Sequence, residues 1–293
     1  MTSRKRSIPR PSRRPFITAG LMTALSFRNR VSHEPITAPG GPVVSMTSHG
    51  RRVRFAHLAI ESIGLGSLRP SRLVLWLDPD DPRAERPTPA LRRLTTRGLE
   101  IRNAPDHIGP HTKYYPQVVL AEDSELPLVT ADDDMMHPRR WLRTLVDAAA
   151  ATPGAVVAHR ARRVRLTASG RLAPYATWEA AAPTDDDART IGLGVGGVLY
   201  PPSFLPHIRS AGTRFMAVAP RADDIWLHAL AVRAGFIVVP VGALTDGDAV
   251  PIRWHGSGGL HEDNVFNAGN DEQALATYDE EVLTKLREAH KPA

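Results

Sequence analysis

Three consecutive aspartates, Asp132, Asp133 and Asp134, follow an apolar run at residues 126–130. Residues i and i+2 of an extended chain point to the same side, so Asp132 and Asp134 are expected to face one pocket while Asp133 faces elsewhere. Carboxylate oxygens suit Mg²⁺ or Mn²⁺ together with substrate phosphates. Ligands of an open α/β sheet bind beyond the carboxyl ends of its strands, so the triplet predicts a metal and phosphate site there. A solvated turn that caps the next helix is the structural alternative.

The chain contains a second aspartate triplet, at residues 185–187. This triplet follows an Ala- and Pro-rich segment at residues 180–184, and no apolar strand precedes it. It is therefore predicted to be a solvated loop. Because the two triplets have the same composition, it is the position at the end of a strand that gives the first one its functional interpretation.

Another acidic pair, Asp223 and Asp224, comes after Pro220 at the start of a predicted helix over residues 222–235. Acids in a first turn favour the helix dipole, which is the ordinary structural explanation. The functional alternative is that one of them faces the same crevice as a general base, because a carboxylate near a metal and an acceptor hydroxyl can take the hydroxyl proton.

Glycines at residues 192–197 form a G-x-G-x-x-G pattern, which a dinucleotide-binding site uses between a strand and a helix. Pro201 and Pro202 follow closely and cannot continue a helix, so the dinucleotide interpretation is rejected. The glycines are instead predicted to let the backbone approach a bound ligand.

Two histidines, His255 and His261, lie in a Gly-rich stretch beyond the last predicted strand. Either could complete a metal shell as a neutral imidazole. A loop histidine that is simply polar surface is the alternative for each.

From about residue 42, short apolar runs alternate with amphipathic segments, which is typical of an α/β fold with a mainly parallel sheet. The predicted strands are residues 43–46, 73–77, 99–102, 126–130, 155–158, 164–166 and 236–241. Helices are predicted after the first strand, from Pro138 to about Ala149, over residues 222–235 and over residues 271–289. The predicted fold is one Rossmann-like α/β domain whose central sheet is flanked by helices.

The charge of the chain is unevenly placed. Lys and Arg number 37 against 31 Asp and Glu, but residues 1–33 hold eight basic groups and no acid, which leaves 29 basic and 31 acidic groups in the remainder. We expect a basic, disordered tail at residues 1–41 and a catalytic domain at residues 42–293. The tail could contact an anionic membrane surface weakly, and no specific nucleic acid partner is expected. The absence of cysteine excludes a disulfide scaffold and a thiolate metal site.

We expect a cytoplasmic protein, peripheral to the inner face of the membrane. Arg13 and Arg14 resemble a twin-arginine export signal, which is the alternative. The apolar run that follows, at residues 16–27, is short, and Arg28 and Arg30 follow it instead of a small-residue cleavage site.

Taken in order, these segments resemble a nucleotide-sugar glycosyltransferase of the GT-A fold, close to the family 2 type. The resemblance spans roughly residues 42–275. The stretches that carry it are VSMTSHGRR at residues 44–52, LVLWLD at 73–78, HTKYY at 111–115, VTADDD at 129–134, GVGGVLYPP at 194–202 and DDIW at 223–226.

The resemblance implies roles on the donor side of the site. Asp132 would lie near the nucleotide ribose, and Asp134 would bind a divalent metal, Mn²⁺ or Mg²⁺, on the diphosphate, with Asp132 also near the metal. Asp133 counts among the donor-binding residues. His255 is the chosen downstream metal ligand, and His261 has an equally tolerable spacing.

The same resemblance implies roles for residues at the ends of the first two strands and in the HTKYY motif. Asp78 would recognise the nucleotide base, with Thr47 and Ser48 beside it. Lys113 would contact the donor, where its ammonium could offset diphosphate charge.

On the acceptor side, Asp224 resembles the catalytic base of the family's paired-acid motif, with Asp223 oriented toward the acceptor or the structure. The family pair usually contains a glutamate where this chain has Asp223, so the choice between the two acids stays open. Inversion of the sugar configuration is what the family implies.

The resulting hypothesis is a metal-dependent glycosyltransferase of the hexosyltransferase type, acting in polysaccharide biosynthesis. Its partners would be a nucleotide-sugar donor, with a UDP-sugar as the first candidate, and a carbohydrate or glycoconjugate acceptor. Two alternatives use the same site differently: a nucleotidyltransferase or phosphate-ester hydrolase, and a GT-A-like binding module without turnover.

Overall fold

The computed structural model describes residues 14–120, 125–241, 249–252 and 269–289. The strands are β1 (Val43–Thr47), β2 (Arg72–Leu77), β3 (Leu99–Asn103), β4 (Leu128–Asp132), β5 (Met135–Met136), β6 (Val156–Ala158), β7 (Ala161–Arg163), β8 (Thr190–Gly192), β9 (Val198–Tyr200), β10 (Val238–Pro240) and β11 (Val250–Pro251). The helices are α1 (Arg14–Val31), α2 (Ala56–Gly64), α3 (Pro89–Thr95), α4 (Tyr115–Leu120), α5 (Trp141–Ala151), α6 (Leu205–Ala211), α7 (Phe215–Val218), α8 (Asp223–Ala234), α9 (Gly269–Thr277) and α10 (Glu280–Glu288).

Within these residues the central sheet has seven strands in the order β10-β6-β9-β4-β1-β2-β3. β1 pairs in parallel with β2 and β4, β2 pairs in parallel with β3, and β6 with β10. β9 is antiparallel to both of its neighbours, β4 and β6. The prediction of an α/β fold with a mainly parallel sheet is confirmed, and β9, where no strand was predicted, joins the two parallel parts.

The apolar run of β2 shows why these segments form strands covered on both faces. Val74 and Trp76 pack into one core cluster, whereas Leu73, Leu75 and Leu77 pack into the other. Successive side chains of a strand point to opposite faces, so an uninterrupted apolar run fits a strand that helices cover on both sides. One face of the sheet is covered by helices α1, α2, α3 and α5. The other face is covered by α4 and by the helices α6 to α10.

The register of the parallel strands brings three strand ends to one edge of the sheet. Thr47, the last residue of β1, is aligned with Trp76 of β2 and with Asp132 of β4. Parallel strands present their carboxyl ends on the same edge, so the residues that follow β1, β2 and β4 surround one crevice.

Residues 14–41, predicted to be part of a disordered tail, are ordered in the structure. Helix α1 packs on α2 and α3, and Leu25 of α1 is buried in the core with Ile36 of the segment that follows it. The prediction of disorder is therefore wrong for residues 14–41. Residues 1–13 lie outside the described part of the chain.

A buried carboxylate on α2 explains why α1 is held in place. Glu61 is fully buried, and it accepts a hydrogen bond from Asn29 Nδ2 at 3.1 Å and pairs with Arg28 Nε at 3.1 Å. Arg97 completes the set with both of its terminal nitrogens. A buried charge needs such partners, and neither charge nor composition of the basic segment reveals them.

Two predicted elements differ in detail. The strand predicted at residues 164–166 lies earlier, as β7, where it pairs with β8. The final helix is divided into α9 and α10, because Asp279 accepts a hydrogen bond from the amide of Val282 at 3.1 Å and so caps a new helix.

We expect Leu25→Ala to lower the free energy of unfolding by about 2–5 kcal/mol, because it leaves a cavity where α1 meets the domain. Phe27→Ala on the same helix is the matched control, since Leu25 is 2% exposed and Phe27 is 63% exposed. The control should stay within about 0.5 kcal/mol of the wild type. Urea unfolding followed by circular dichroism measures both variants, and equal effects would contradict the packing of α1.

Candidate functional site

Lys113 joins the two acidic groups that the sequence singles out. It ends the 3₁₀ turn Gly109–Lys113, and its Nζ donates to Asp132 Oδ1 at 2.9 Å and lies 3.1 Å from Asp223 Oδ2. The side chain is 9% exposed. Burial alone would lower the pKa of Lys113, but the carboxylates of Asp132, Asp223 and Asp224 raise it well above its ordinary value. The ammonium is therefore a fixed positive charge between β4 and α8.

The acidic pair at the start of α8 faces this ammonium. Asp224 Oδ1 accepts a hydrogen bond from the amide of Gly194 at 2.9 Å. Burial, followed by the charge of Asp223, raises the pKa of Asp224 to about 8, although Lys113 opposes the shift. A carboxylate with a raised pKa is a better proton acceptor once it is ionised, which is the property expected of a general base.

Gly194 lies where the three elements meet. A Cβ at this position would lie 3.0 Å from Lys113 Nζ, 3.2 Å from Asp224 Oδ1 and 3.9 Å from Asp132 Oδ1. The glycine stretch therefore allows a close approach of backbone to these side chains. The segment continues into the 3₁₀ turn Gly194–Gly196 and then into β9, so it lacks the helix of a dinucleotide site, as expected.

Asp133 and Asp134 turn toward the end of β1. Ser48 Oγ and Arg52 Nη2 each donate to one oxygen of Asp133, and Arg52 Nη2 also lies 2.8 Å from Asp134 Oδ2. Asp133 is buried, whereas the side chain of Asp134 is 36% exposed. Burial and then the charge of Asp132 raise the pKa of Asp134 to about 6, against the effect of Arg52.

The residues predicted to recognise the base lie beside this group. Thr47 is the last residue of β1 and is aligned with Asp132 of β4. Its Oγ1 donates to the carbonyl of Trp76 at 3.1 Å. Asp78 is half-buried just after β2, and its carbonyl accepts a hydrogen bond from Asn103 Nδ2 at 2.7 Å. Asp78 thus lies at the carboxyl edge of the sheet.

Both candidate metal-binding histidines, His255 and His261, lie outside the described residues. The chain approaches the site before them, because the amide of Ile252 donates to the carbonyl of Asp134 at 2.7 Å. Across the described ranges, no cluster of three or more His, Asp or Glu side chains has the geometry to hold a metal. Asp132 and Asp134, the two carboxylates predicted to bind the metal, both belong to the described part of the site.

The charges of the site are not balanced. Five carboxylates, those of Asp132, Asp133, Asp134, Asp223 and Asp224, lie beside two cations, Lys113 and Arg52. Burial, and then the charge of a neighbouring aspartate, raise the pKa of Asp134 and of Asp224. Carboxylate oxygens and excess negative charge are the chemistry that a divalent cation requires, but the described side chains do not by themselves form a complete metal site.

Sequence reasoning assigned no role to His111, which connects the Lys113 turn to the segment that leads into α8. His111 Nε2 donates to the carbonyl of Ala219 at 2.7 Å, and the Tyr114 hydroxyl donates to Nδ1 at 2.7 Å. The ring stacks on Phe215 with 4.0 Å between centroids. Burial lowers the pKa of His111 to about 4, so the ring is neutral near pH 7. Within the HTKYY motif, a functional role is predicted from the sequence for Lys113 alone.

The second aspartate triplet behaves as the sequence predicts. Asp187 pairs with the guanidinium of Arg163, and Asp185 accepts a hydrogen bond from the amide of Ala182 at 2.7 Å. Asp186 is exposed. These acids therefore belong to a loop, and one of them, Asp187, forms an ion pair with Arg163.

Comparison with known proteins gives a match at the level of structure. No family model and no curated protein sequence matches the chain. The mannosyltransferase PcManGT from Pyrobaculum calidifontis, solved in complex with GDP-Man and Mn²⁺, superposes with a TM-score of 0.52 at 16% identity, over 94% of this chain and 79% of that one. GalNAc-T7 with UDP, GalNAc and Mn²⁺ superposes with a TM-score of 0.52 at 13% identity, over 97% of this chain and 64% of that one.

At these identities the likeness concerns the fold. The chain spans less than two thirds of GalNAc-T7. Together with the mainly parallel sheet and the acidic residues at its carboxyl edge, the two comparisons show that this chain has the GT-A fold of nucleotide-sugar glycosyltransferases.

Proposed function

We propose that this protein is a metal-dependent glycosyltransferase that moves a sugar from a nucleotide-diphosphate donor to an acceptor hydroxyl, with inversion. The observation that carries the proposal is the position of Lys113 between Asp132 and Asp223, 2.9 and 3.1 Å from their oxygens. It joins the residues assigned to the donor and those assigned to the acceptor in one site.

On the donor side, Lys113 and the acidic triplet have complementary roles. The ammonium offsets the charge that grows on the departing diphosphate, and a preorganised charge of this kind lowers the barrier without reorganisation. Asp132 contacts the ribose side of the donor, and Thr47, Ser48 and Asp78 contact the base. Asp133 holds the turn after β1 through Ser48, and so supports the donor site indirectly.

Asp132 and Asp134 would hold the divalent cation, with His255 as the proposed imidazole ligand. When bound, Mn²⁺ or Mg²⁺ supplies positive charge that stabilises the leaving diphosphate. The excess of carboxylates over cations at this edge of the sheet supports the assignment.

On the acceptor side, Asp224 acts as the general base. Its carboxylate takes the proton of the acceptor hydroxyl while that oxygen forms a bond to the anomeric carbon. The bond from this carbon to the diphosphate oxygen breaks, and its electron pair leaves with the nucleoside diphosphate. Asp223 keeps Lys113 in position through their ion pair.

The direct test is donor turnover. Purified protein is incubated with Mn²⁺ and a panel of nucleotide sugars that starts with UDP-sugars and includes GDP-mannose, and the released nucleotide is identified. We expect a nucleoside diphosphate. A nucleoside monophosphate or inorganic phosphate would instead indicate a nucleotidyltransferase or a phosphate-ester hydrolase, and donor binding without any product would indicate a binding module.

The acceptor is proposed to be a carbohydrate or glycoconjugate, in the synthesis of a polysaccharide, by a cytoplasmic protein that contacts the membrane surface. No helix in the described part of the chain is long and apolar enough to span a bilayer. The outer face of α1 supports surface contact, because Phe27 and Val31 are 63% and 52% exposed beside the exposed Arg30.

We expect the protein to float with vesicles that contain about one third anionic lipid and not with neutral vesicles, because basic groups near a surface are attracted by anionic headgroups. The double variant Phe27→Ala/Val31→Ala should reduce flotation several-fold, since the apolar part of the contact is lost. Leu275→Ala is the control, because Leu275 is equally exposed on α9. Equal flotation of all three proteins would contradict a contact through α1.

A further inference from the structure

Arg52 contacts two neighbouring members of the acidic triplet. It begins the 3₁₀ turn Arg52–Arg54 after β1, and its Nη2 donates to Asp133 and lies 2.8 Å from Asp134 Oδ2. The side chain is mostly buried. The guanidinium therefore lies against Asp134, the carboxylate that the proposed function assigns to the metal.

The two contacts of Arg52 differ in how firmly the carboxylate is held. Asp133 is buried and its other oxygen accepts a hydrogen bond from Ser48, so both of its oxygens are occupied. Asp134 is far more accessible, with 36% of its side chain exposed. Loss of the Asp134 contact would leave the guanidinium attached to Asp133, at the same edge of the sheet.

A guanidinium and a divalent cation do not share a carboxylate without a cost. A cation bound to Asp134 would lie close to Arg52, and like charges at such a separation repel. A guanidinium presents its N–H donors in a planar fork, which matches phosphate oxygens better than a lysine ammonium does. The donor diphosphate of the proposed function would offer such oxygens at this edge of the sheet.

We propose that Arg52 competes with a divalent cation for Asp134: it leaves that carboxylate when the cation binds, and it then binds the donor diphosphate while it stays anchored to Asp133. The inference rests on the proposed function, because the sugar donor and the divalent metal that it invokes are both parts of that proposal. Arg52 is in this sense a positioning residue for the metal and a binding residue for the donor. The alternative is that the ion pairs of Arg52 with Asp133 and Asp134 have no part in metal or donor binding, and that Arg52 only stabilises the turn after β1.

The test measures metal binding directly, without turnover. Mn²⁺ is titrated into the nucleotide-free protein and the free ion is followed by electron paramagnetic resonance, for the wild type, Arg52→Gln and the matched control Arg51→Gln, whose side chain is exposed. We expect Arg52→Gln to bind Mn²⁺ roughly tenfold more tightly than the wild type, which corresponds to about 1.4 kcal/mol. Arg51→Gln should equal the wild type. A Mn²⁺ affinity of Arg52→Gln that is equal to or weaker than that of Arg51→Gln overturns the inference.

The second measurement is the affinity for UDP and GDP at saturating Mn²⁺, by calorimetry. Arg52→Gln should bind the better of the two nucleotides at least roughly tenfold more weakly than Arg51→Gln, because it lacks the charged donor to phosphate. Unchanged nucleotide affinity overturns the diphosphate part of the proposal. Arg52→Lys guards against a folding defect: it keeps the charge at Asp133, and its Mn²⁺ affinity should lie between those of the wild type and Arg52→Gln.

These outcomes are separate from those of the transferase proposal. One possible outcome is that Arg52→Gln binds Mn²⁺ more tightly while the wild-type protein releases no nucleoside diphosphate from any donor. This outcome would support the role of Arg52 at Asp134 and contradict the transferase proposal. Normal donor turnover with unchanged Mn²⁺ affinity would leave the transferase intact and sink the role of Arg52.

Discussion

Asp224→Asn should reduce kcat for sugar transfer by about 10²–10⁴-fold, the usual contribution of a general base, while the affinity for the donor nucleotide changes little. The amide oxygen of asparagine can still accept the hydrogen bond that Asp224 receives from the Gly194 amide at 2.9 Å, so the substitution removes proton transfer and keeps the geometry. Single-turnover transfer to acceptor and nucleotide binding by calorimetry measure the two effects separately.

Asp223→Asn is the matched control for this substitution. Asp223 lies 3.1 Å from Lys113, which keeps its bond to Asp132 when Asp223 is neutralised, so we expect a loss of transfer below roughly tenfold. A large loss with Asp223→Asn and retained transfer with Asp224→Asn would assign the base to Asp223 instead. The two acids are adjacent and equally acidic in sequence, and the choice between them depends on this comparison.

The pH dependence gives an independent check on Asp224. Burial, followed by the charge of Asp223, raises its pKa to about 8 in the free protein. A general base acts in its ionised form, so kcat/KM should rise with pH up to about that value, and a bound divalent cation shifts the limb to lower pH. Loss of this limb in Asp224→Asn would support the assignment, and an identical limb in the variant would contradict it.

The position of the acidic triplet could be predicted because it depends on strand order. The apolar runs of β1, β2 and β4 can be recognised as strands in the sequence, and parallel strands present their carboxyl ends at one edge of the sheet. The alignment of Thr47 with Asp132 is a direct consequence. The start of α8 was equally visible, because Pro220 and two acids precede its apolar residues.

The contacts across the crevice could not be predicted in the same way. Arg52 meets Asp133 across 81 residues of chain, and Lys113 meets Asp223 across a still longer interval. Such contacts depend on where the turns after strands direct their side chains, and no spacing within one segment encodes that direction. The GxG pattern was correctly separated from a dinucleotide site, but its closeness to Lys113 and Asp224 follows only from the tertiary fold.

Helix α1 was mistaken for a tail because part of its attachment is polar. Asn29 and Arg28 bind a buried glutamate on another helix, and Leu25 packs in the core with the partly buried Leu21 and Met22 beside it. Hydrophobic periodicity is the main signal for a helix that packs on a domain, and it is weak in a helix held by a buried carboxylate. The basic composition around it therefore dominated the interpretation.

Lys113→Met should abolish most of the transfer activity, with a loss of about 10²–10³-fold in kcat, because it removes a fixed charge aimed at the leaving diphosphate. It should also destabilise the protein at pH 8 by about 3–5 kcal/mol, since carboxylates that Lys113 holds at 2.9 and 3.1 Å lose their buried partner. Methionine keeps the length and apolar character of the stem, so packing changes least. Urea unfolding and single-turnover kinetics measure the two losses.

The pH dependence of that destabilisation distinguishes lost charge from lost packing. Without the ammonium, burial raises the pKa of Asp132 in the folded variant above its unfolded value, so folding takes up protons and the stability of the variant falls as pH rises. The wild type has the opposite tendency at this residue: burial raises the pKa of Asp132, but the charge and hydrogen bond of Lys113, together with the charge of Arg52, lower it below its ordinary value. The difference in unfolding free energy should therefore be larger at pH 8 than at pH 5. A difference that is the same at both values would mean that Lys113 acts through packing, and the electrostatic role in the proposed mechanism would then lack support.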